Sequence, residues 1–351
     1  MSSQTLITGA TGFIGRQLTR DLLRRGEKVR VLVRNEKKAR ELFGHEVEVV
    51  VGDLGDTKAI ARATRSMEMI YHIGGIYRFG LSHRRELWRV NVEGTEHLMR
   101  NASEMGVAKV VHLSSGGILK RNGRKATKDN LLDEKDFPTE EPRFCSYKSS
   151  KWHAELRALA WAKRGLNVTV VNTTCPIGQG DEAPTPTGQI IRDFLDRRFP
   201  FYCRSGLNFI SISDLSVGLQ QAARAGRSGE RYLICDKNLW LKEYLDLLAE
   251  ETGLPAPTRC LPHWIIHMAG VGGEIFDLIK PRSQGARVCL ETAVQAGHVQ
   301  FFSNAKARGE LGWEPTRPLR QSIHEAVAWF RNEQEMEAPP RAAASLESHV
   351  R

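Results

Sequence analysis

Eight residues near the start of the chain, Thr8-Gly9-Ala10-Thr11-Gly12-Phe13-Ile14-Gly15, constrain the fold more than any other stretch. They follow a short apolar run, residues 4–8, that reads as a buried strand, and they open a helical pattern that Gly26 ends. Gly9 permits a tight turn, Gly12 lets a pyrophosphate approach the backbone, and Gly15 lets helix and strand pack closely. The helix N-terminus adds unpaired N–H groups and a partial positive charge aimed at phosphates. Thr11, Phe13 and Ile14 lie in the same turn and are expected to bind the cofactor with the glycines. The spacing is GxxGxxG rather than GxGxxG, but the physical requirements are unchanged. An ordinary glycine turn is the bland alternative; placement directly after the first strand argues against it.

The rest of the first half repeats that junction. Apolar runs at Lys28–Val33, Glu46–Val51, Met69–His72, Val110–Leu113 and Asn167–Asn172 alternate with helix-length stretches such as Arg84–Met105 and Tyr147–Arg164. Strands alternating with helices predict a Rossmann-type, doubly wound α/β fold, a parallel sheet covered on both faces. After residue 175 the rhythm changes. Residues 176–188, with Pro176, Gly178, Gly180, Pro184, Pro186 and Gly188, read as a long functional loop. Phe209–Ile212 reads as a strand rejoining the sheet, with Asp214 opening the next helix, and the chain is largely helical from Leu241. The expected division is a nucleotide domain (1–175 plus 209–235), a smaller, mostly helical substrate domain (176–208 plus 236–331) and a flexible tail (332–351). At 351 residues the chain exceeds what one hydrophobic core usually serves.

Composition narrows the class. Lys and Arg number 51 against 41 Asp and Glu, a net charge of +10, yet the charges are scattered rather than blocked. That pattern reads as a solvated basic surface, with no nucleic-acid partner. The six cysteines are far apart, with no CxxC pair, so neither a structural zinc nor a disulfide framework is expected and no metal site is assigned. No apolar run reaches the ~18–20 residues of a membrane span, and the first strand begins almost at once, leaving no room for a signal peptide. The expectation is a cytoplasmic protein without an integral membrane segment.

At the end of the second strand stand Arg34 and Asn35, followed by Lys37 and Lys38. A site for NAD usually offers an acidic residue here for the ribose 2′-OH. Arg34 instead suits a 2′-phosphate, which favours NADP(H), with NAD(H) as the alternative. Gly52-Asp53-Leu54 places Asp53 to accept from an adenine amino group, with Leu54 beside it; a helix cap is the other reading of Asp53. Tyr147 and Lys151 stand four apart on one expected helix and so share a face. An ammonium beside a phenol lowers the phenol from about 10 toward neutrality and makes a usable acid/base. Ser114-Ser115 closes the fifth strand at the same edge of the sheet.

These motifs resemble the extended branch of the short-chain dehydrogenase/reductase superfamily: TGATGFIG (8–15), GDL (52–54), NVEGT (91–95), LSS (113–115), YKSSK (147–151) and LGW (311–313). The resemblance implies Ser115, Tyr147 and Lys151 as the catalytic set, Ser115 over Ser114 because it precedes Gly116-Gly117. It implies that Asn91 anchors a helix near the site, that His72–Gly75 passes along the cofactor with Gly74 in contact, and that Thr174 belongs to the cofactor site. Within the branch, residues 172–191, 205–215 and 229–234 look like hopanoid-associated sugar epimerases and dihydroflavonol 4-reductase-like members. Thr173, where many relatives have proline, and His72-Ile73-Gly74-Gly75, where alanines are commoner, depart from that pattern and bear on substrate geometry.

Three functions follow: an NADP-dependent oxidoreductase acting on a secondary alcohol or ketone, a sugar 4-epimerase or dehydratase with retained NAD, and a non-catalytic nucleotide sensor, which the intact catalytic set disfavours. Tyr77, Phe79, Tyr202 and Leu261–Ile279 read as core of the small domain or, alternatively, as an apolar wall for a hydrophobic or lipid-linked small molecule. His263 and His267 lack a third ligand and read as structural. A homodimer through the helices around 91–105 and 147–164 is expected from the resemblance alone.

Overall fold

A computed structural model describes residues 4–120, 126–142, 145–279 and 290–337. The strands are β1 (Gln4–Thr8), β2 (Lys28–Val33), β3 (Val47–Val51), β4 (Met69–His72), β5 (Lys109–Ser115), β6 (Val168–Thr173), β7 (Cys175–Ile177), β8 (Tyr202–Cys203), β9 (Gly206–Ser211), β10 (Arg231–Ile234), β11 (Lys237–Trp240) and β12 (Cys260–Leu261). Helices α1 (Phe13–Arg24), α2 (Glu36–Phe43), α3 (Thr57–Thr64), α4 (Arg84–Leu87), α5 (Gly94–Glu104) and α6 (Ser146–Lys163) serve the first half. The second half carries α7 (Pro186–Leu195), α8 (Ile212–Ala225), α9 (Leu241–Thr252), α10 (His263–Ile279), α11 (Leu290–Gln295), α12 (Ala305–Leu311) and α13 (Leu319–Glu337).

Seven strands form one parallel sheet in the order β10-β6-β5-β4-β1-β2-β3. Its central strands are apolar on both faces because helices cover both. One core joins β1, β2 and β6 to α1, α2, α8 and α12; the other joins the sheet's opposite face to α3, α5 and α6. Strand order reverses between β1 and β4, so a crevice opens beyond their carboxyl ends, where ligands of doubly wound sheets bind. The expected doubly wound fold is the one found.

One expectation is corrected. The strand read at 209–212 does not rejoin the main sheet. As β9 it pairs in parallel with β7 and antiparallel with β11 in a separate three-stranded sheet, and β10 takes the seventh place beside β6. The chain leaves the main sheet at Thr174, and β9 follows the strand that has already left: Thr174 Oγ1 donates to Asn208 Oδ1 at 2.8 Å, and Asn208 Nδ2 to Asn238 Oδ1 at 2.8 Å. This second sheet shares a core with α7, α9 and α13. The helix α13 continues to Glu337, past residue 332 where a tail was expected; residues 338–351 and Cys289 lie outside the described residues.

The LGW motif fastens the end of α12 to α8. Trp313 is fully buried and its indole N–H donates to the Asp214 carbonyl at 3.0 Å. The Asp214 carboxylate accepts from Thr316 N and Oγ1 and from Arg317 N at 3.0–3.2 Å. Those donors replace the water that burial takes from the carboxylate.

Candidate active site

The crevice begins at the glycine turn. Gly9 has φ +73°, and a Cβ there would lie 2.7 Å from the Gly74 Cα. A Cβ on Gly15 would lie 2.1 Å from the Gly9 carbonyl oxygen. Gly12 N donates to Gly9 O at 3.0 Å, and Gly12 precedes α1 without any side-chain cap or first-turn acid. The first N–H groups of α1 therefore remain available to an anion. Such a cradle of close backbones fits a dinucleotide pyrophosphate.

Gly74 is held by its own N–H, which donates to Thr8 Oγ1 at 3.0 Å. Thr8 Oγ1 also meets His72 Nδ1 at 2.9 Å, and His72 Nε2 meets Thr95 Oγ1 at 2.9 Å. Because the Thr95 hydroxyl donates to Asn91 O at 2.6 Å, it accepts from His72, which assigns the proton to Nε2. Burial, with Lys151 nearby, pushes His72 down to about 3 and keeps it neutral. Asn91 is anchored as the resemblance implied: Oδ1 accepts from Ile76 N at 2.8 Å, and Nδ2 donates to Ile76 O and Ser150 Oγ at 3.0 Å. It ties the segment after β4 to α6 from a π-helical turn, Trp88–Glu93.

At the β2 end of the crevice Arg34 is exposed just beyond Val33, and Asn35 caps α2 by accepting from Lys38 N at 3.1 Å. A surface cavity there is lined by Asn35, Lys37, Lys38, Glu41, Leu42 and Glu182. Glu182, from the loop after β7, reaches Arg16 Nη1 at 2.9 Å and Lys38 Nζ at 2.5 Å. The loop read over 176–188 is shorter than expected, because β7 takes 176–177 and α7 opens at Pro186 with its first-turn proline. Sequence reading missed this reach, since nothing local to Glu182 signals a partner so far back in the chain. Asp53 accepts from Gly55 N at 2.7 Å and pairs with Arg89 at 3.4 Å. Burial works to raise its carboxyl, but the Gly55 N–H and Arg89 outweigh it and hold it below the usual value. The cap of α3 is Asp56, which accepts from Ala59 N at 3.0 Å, so capping does not account for Asp53. Leu54 is buried under Gly74 and Gly94. Thr174 spends its hydroxyl on Asn208, so only the rest of that residue faces other roles.

The chemical end lies where β5 meets α6. Ser115 hydrogen-bonds to the Tyr147 phenol, and its Oγ accepts from Gly117 N at 3.1 Å. Ser114, one residue earlier, is buried with its hydroxyl unpartnered. The alternation of a strand sends the two side chains to opposite faces, and only Ser115 meets Tyr147. Lys151 Nζ donates to Leu113 O at 2.7 Å, and burial lowers the ammonium to about 8.

The expected lowering of Tyr147 is not found. Burial dominates and pushes the phenol above its ordinary value, the Ser115 hydrogen bond opposing, with Cys145 and Glu291 pushing the same way as burial. Lys151 shares the helix face but spends its charge on the Leu113 carbonyl, so four-residue spacing did not translate into a phenol–ammonium pair.

Around the phenol the wall is aromatic: the Tyr77 ring lies 4.1 Å and Phe79 6.2 Å from it, centroid to centroid. Tyr202 packs instead with the core around α7 and α9. Glu291, which sequence reading missed, is buried and accepts from Cys145 Sγ at 2.6 Å and Tyr147 N at 3.3 Å. A carboxylate from α11 thus sits on the N-terminus of α6, where the helix dipole favours negative charge. Among the described residues no group of three His, Cys, Asp or Glu could hold a metal ion, His263 and His267 included.

A phosphate cradle at a switch point, joined to a serine–tyrosine–lysine cluster at the next strand edges, defines a nicotinamide-dependent enzyme of the extended short-chain dehydrogenase/reductase type. The chain belongs to the NAD-dependent epimerase/dehydratase family, whose model matches residues 5–235. It is 33% identical over 339 residues to a Synechocystis sp. protein that carries the name dihydroflavonol 4-reductase, covering 95% of this chain and 96% of that one. It is also 33% identical over 334 residues to sterol demethylase protein B of Methylococcus capsulatus, covering 93% and 98%. The solved structure of gox2253 superposes with a TM-score of 0.76 at 32% identity, covering 95% of this chain and 99% of that one.

Proposed function

We propose an NADP-dependent oxidoreductase that interconverts a secondary alcohol and a ketone on a hydrophobic small molecule. The observation that carries this reading is the β2 end of the crevice, where the two residues directly after the strand are Arg34 and Asn35, neither of them acidic, and Lys37 and Lys38 follow Glu36 on α2. Guanidinium and ammonium groups suit a 2′-phosphate, whereas a 2′-OH asks for a carboxylate. The aromatic wall of Tyr77 and Phe79 beside the phenol favours an apolar substrate, and the relative named as a sterol demethylase component points the same way.

When bound, the cofactor supplies or accepts a hydride. The residues do the rest. The N–H groups after Gly12 and the basic cluster would hold the cofactor's phosphates, and Asp53 would accept from the adenine amino group. Tyr147 protonates the substrate oxygen during reduction and takes the proton back during oxidation. Ser115 orients that oxygen, and Lys151 would hold the nicotinamide ribose. Burial pushes the Tyr147 phenol above its ordinary value, which suits it as a proton donor.

A second reading, an epimerase or dehydratase that retains NAD, is favoured by Glu182. Its carboxylate straps the loop after β7 across Arg16 and Lys38, as expected of a cofactor kept through many cycles. We assign the protein to the cytoplasm, since its cysteines are widely spaced and form no disulfide framework in the sequence. Exposed Met105 and Leu156 support a homodimer through α5 and α6.

The deciding experiment is mass spectrometry of the nucleotide released on denaturing freshly purified protein. NADP(H), or an empty site that takes NADPH from solution, is the expected result. Stoichiometric NAD would overturn it in favour of the retained-cofactor reading.

A further inference from the structure

The helix α10 turns large apolar side chains outward. Trp264, Met268, Val271 and Ile275 are 63%, 67%, 47% and 54% exposed, and Phe276 is 50% exposed. Spacings of four, three and four put the first four on one stripe along about three turns, with Phe276 at its edge. Glu274, the charged residue among positions 263–276, is buried on the opposite side, against the protein. A monomeric protein rarely leaves such a continuous apolar face to water without a use for it.

The segments that lead into the stripe are basic. Just before α10, β12 pairs with β8, and Tyr202 N donates to Arg259 O at 3.0 Å. Exposed Arg204 and Arg259 flank this small sheet, exposed Arg197 and Arg198 stand between α7 and β8, and Phe201, next to β8, is 38% exposed. Arg198 pairs with Asp193 and Asp196, while no ion pair among the described residues engages Arg197, Arg204 or Arg259. An apolar stripe with Trp and Phe, bordered by arginines on a chain of net charge +10, matches the interface of an anionic bilayer. It matches a second copy of the same chain poorly, because a symmetric contact would bring the arginines of both copies together.

We propose that α10 and the β8–β12 edge form a docking surface for an anionic lipid leaflet, with the α10 stripe lying in the headgroup–acyl boundary. The helix does not cross it: among the described residues no helix is long and apolar enough to span a membrane. Position gives the contact a purpose. The α10 helix packs on the 81–83 turn and on α11, and α11 carries Glu291 to the N-terminus of α6. The docked face is therefore the outer side of the same unit whose inner side meets Tyr147. An apolar substrate dissolved in the leaflet would meet the site without crossing water. The docking surface stands independently of the cofactor and reaction assigned above.

The test is flotation of the full-length protein with vesicles of phosphatidylcholine alone or mixed with phosphatidylglycerol. Binding to the mixed vesicles that weakens with salt, and at least tenfold less of it for Trp264→Ser/Met268→Ser/Ile275→Ser, is expected. The triple variant should bind nucleotide as the parent does, which separates lost docking from lost folding. Bromine-labelled lipid in the mixed vesicles should quench tryptophan emission of the parent and much less that of Trp264→Phe, a substitution that keeps the fold. No flotation, equal flotation of parent and triple variant, or equal quenching in Trp264→Phe would overturn the proposal. A concentration-dependent oligomer abolished by the triple variant, without vesicle binding, would assign the face to a protein partner instead.

Discussion

At the scale of single residues, the site separates groups that sequence spacing makes look alike. Ser114 and Ser115 are adjacent, but only Ser115 shares a hydrogen bond with Tyr147; Ser114 is buried on the other side of the strand. Tyr147 and Lys151 share a helix face, yet their polar ends serve different partners, the Ser115 hydroxyl and the Leu113 carbonyl. Tyr147→Phe keeps the ring that packs on Tyr77 and removes only the hydroxyl. Turnover of a ketone with NADPH should therefore fall by about 10²–10⁴-fold, the usual worth of a positioned proton donor. Nucleotide affinity, read by fluorescence titration, should change little. Turnover within tenfold of the parent would remove Tyr147 from the proposed chemistry.

At the scale of elements, the β1–α1 junction is the part most completely written in the sequence. Its glycines are demanded by contacts within a few residues, Gly15 by the Gly9 carbonyl above all. Gly15→Ala sets a methyl carbon where no real contact is tolerated, so α1 must shift away from β1. NADPH affinity should fall by at least about 100-fold, since the helix N-terminus would no longer face the pyrophosphate. Isothermal titration against the parent measures it, with circular dichroism confirming that the variant is folded. Other elements were legible as strand or helix but not in their partners. The run at 209–212 has the composition of a strand wherever it pairs; that it joins β7 and β11 follows from a departure at Thr174 and the Asn208–Asn238 bond, which no local pattern encodes. The N-terminus of α6 likewise depends on Glu291, 144 residues away from Tyr147 in sequence.

At the scale of the whole molecule, packing the sheet on both faces buries groups that then govern acid stability. His72 and His112 lie with ring centroids 5.1 Å apart in the core, both kept neutral by burial. His72 has two hydroxyl partners, whereas both ring nitrogens of His112 are unpartnered. Unfolded, each would take up a proton below about pH 6.5; folded, His72 resists until about 3. Stability from these neutral imidazoles is complete above the unfolded value and is lost as pH falls below it, by up to about 1.4 kcal/mol per pH unit for each histidine. His112→Leu removes one such proton and an orphaned polar ring. Its unfolding free energy in urea should match or exceed the parent's at neutral pH and fall less steeply between pH 6 and about 4. An unchanged slope would show that His112 is not held neutral in the fold. The sequence by itself determined the parallel sheet and the glycine turn, because each is demanded by contacts close along the chain or by a strand's repeating pattern. Only the tertiary structure decided the separate sheet around β9, the Glu182 and Glu291 contacts, the raised phenol and the outward apolar face of α10. Those depend on which distant segments meet and how much water they exclude, and burial and partner choice belong to the packed molecule rather than to any stretch of residues.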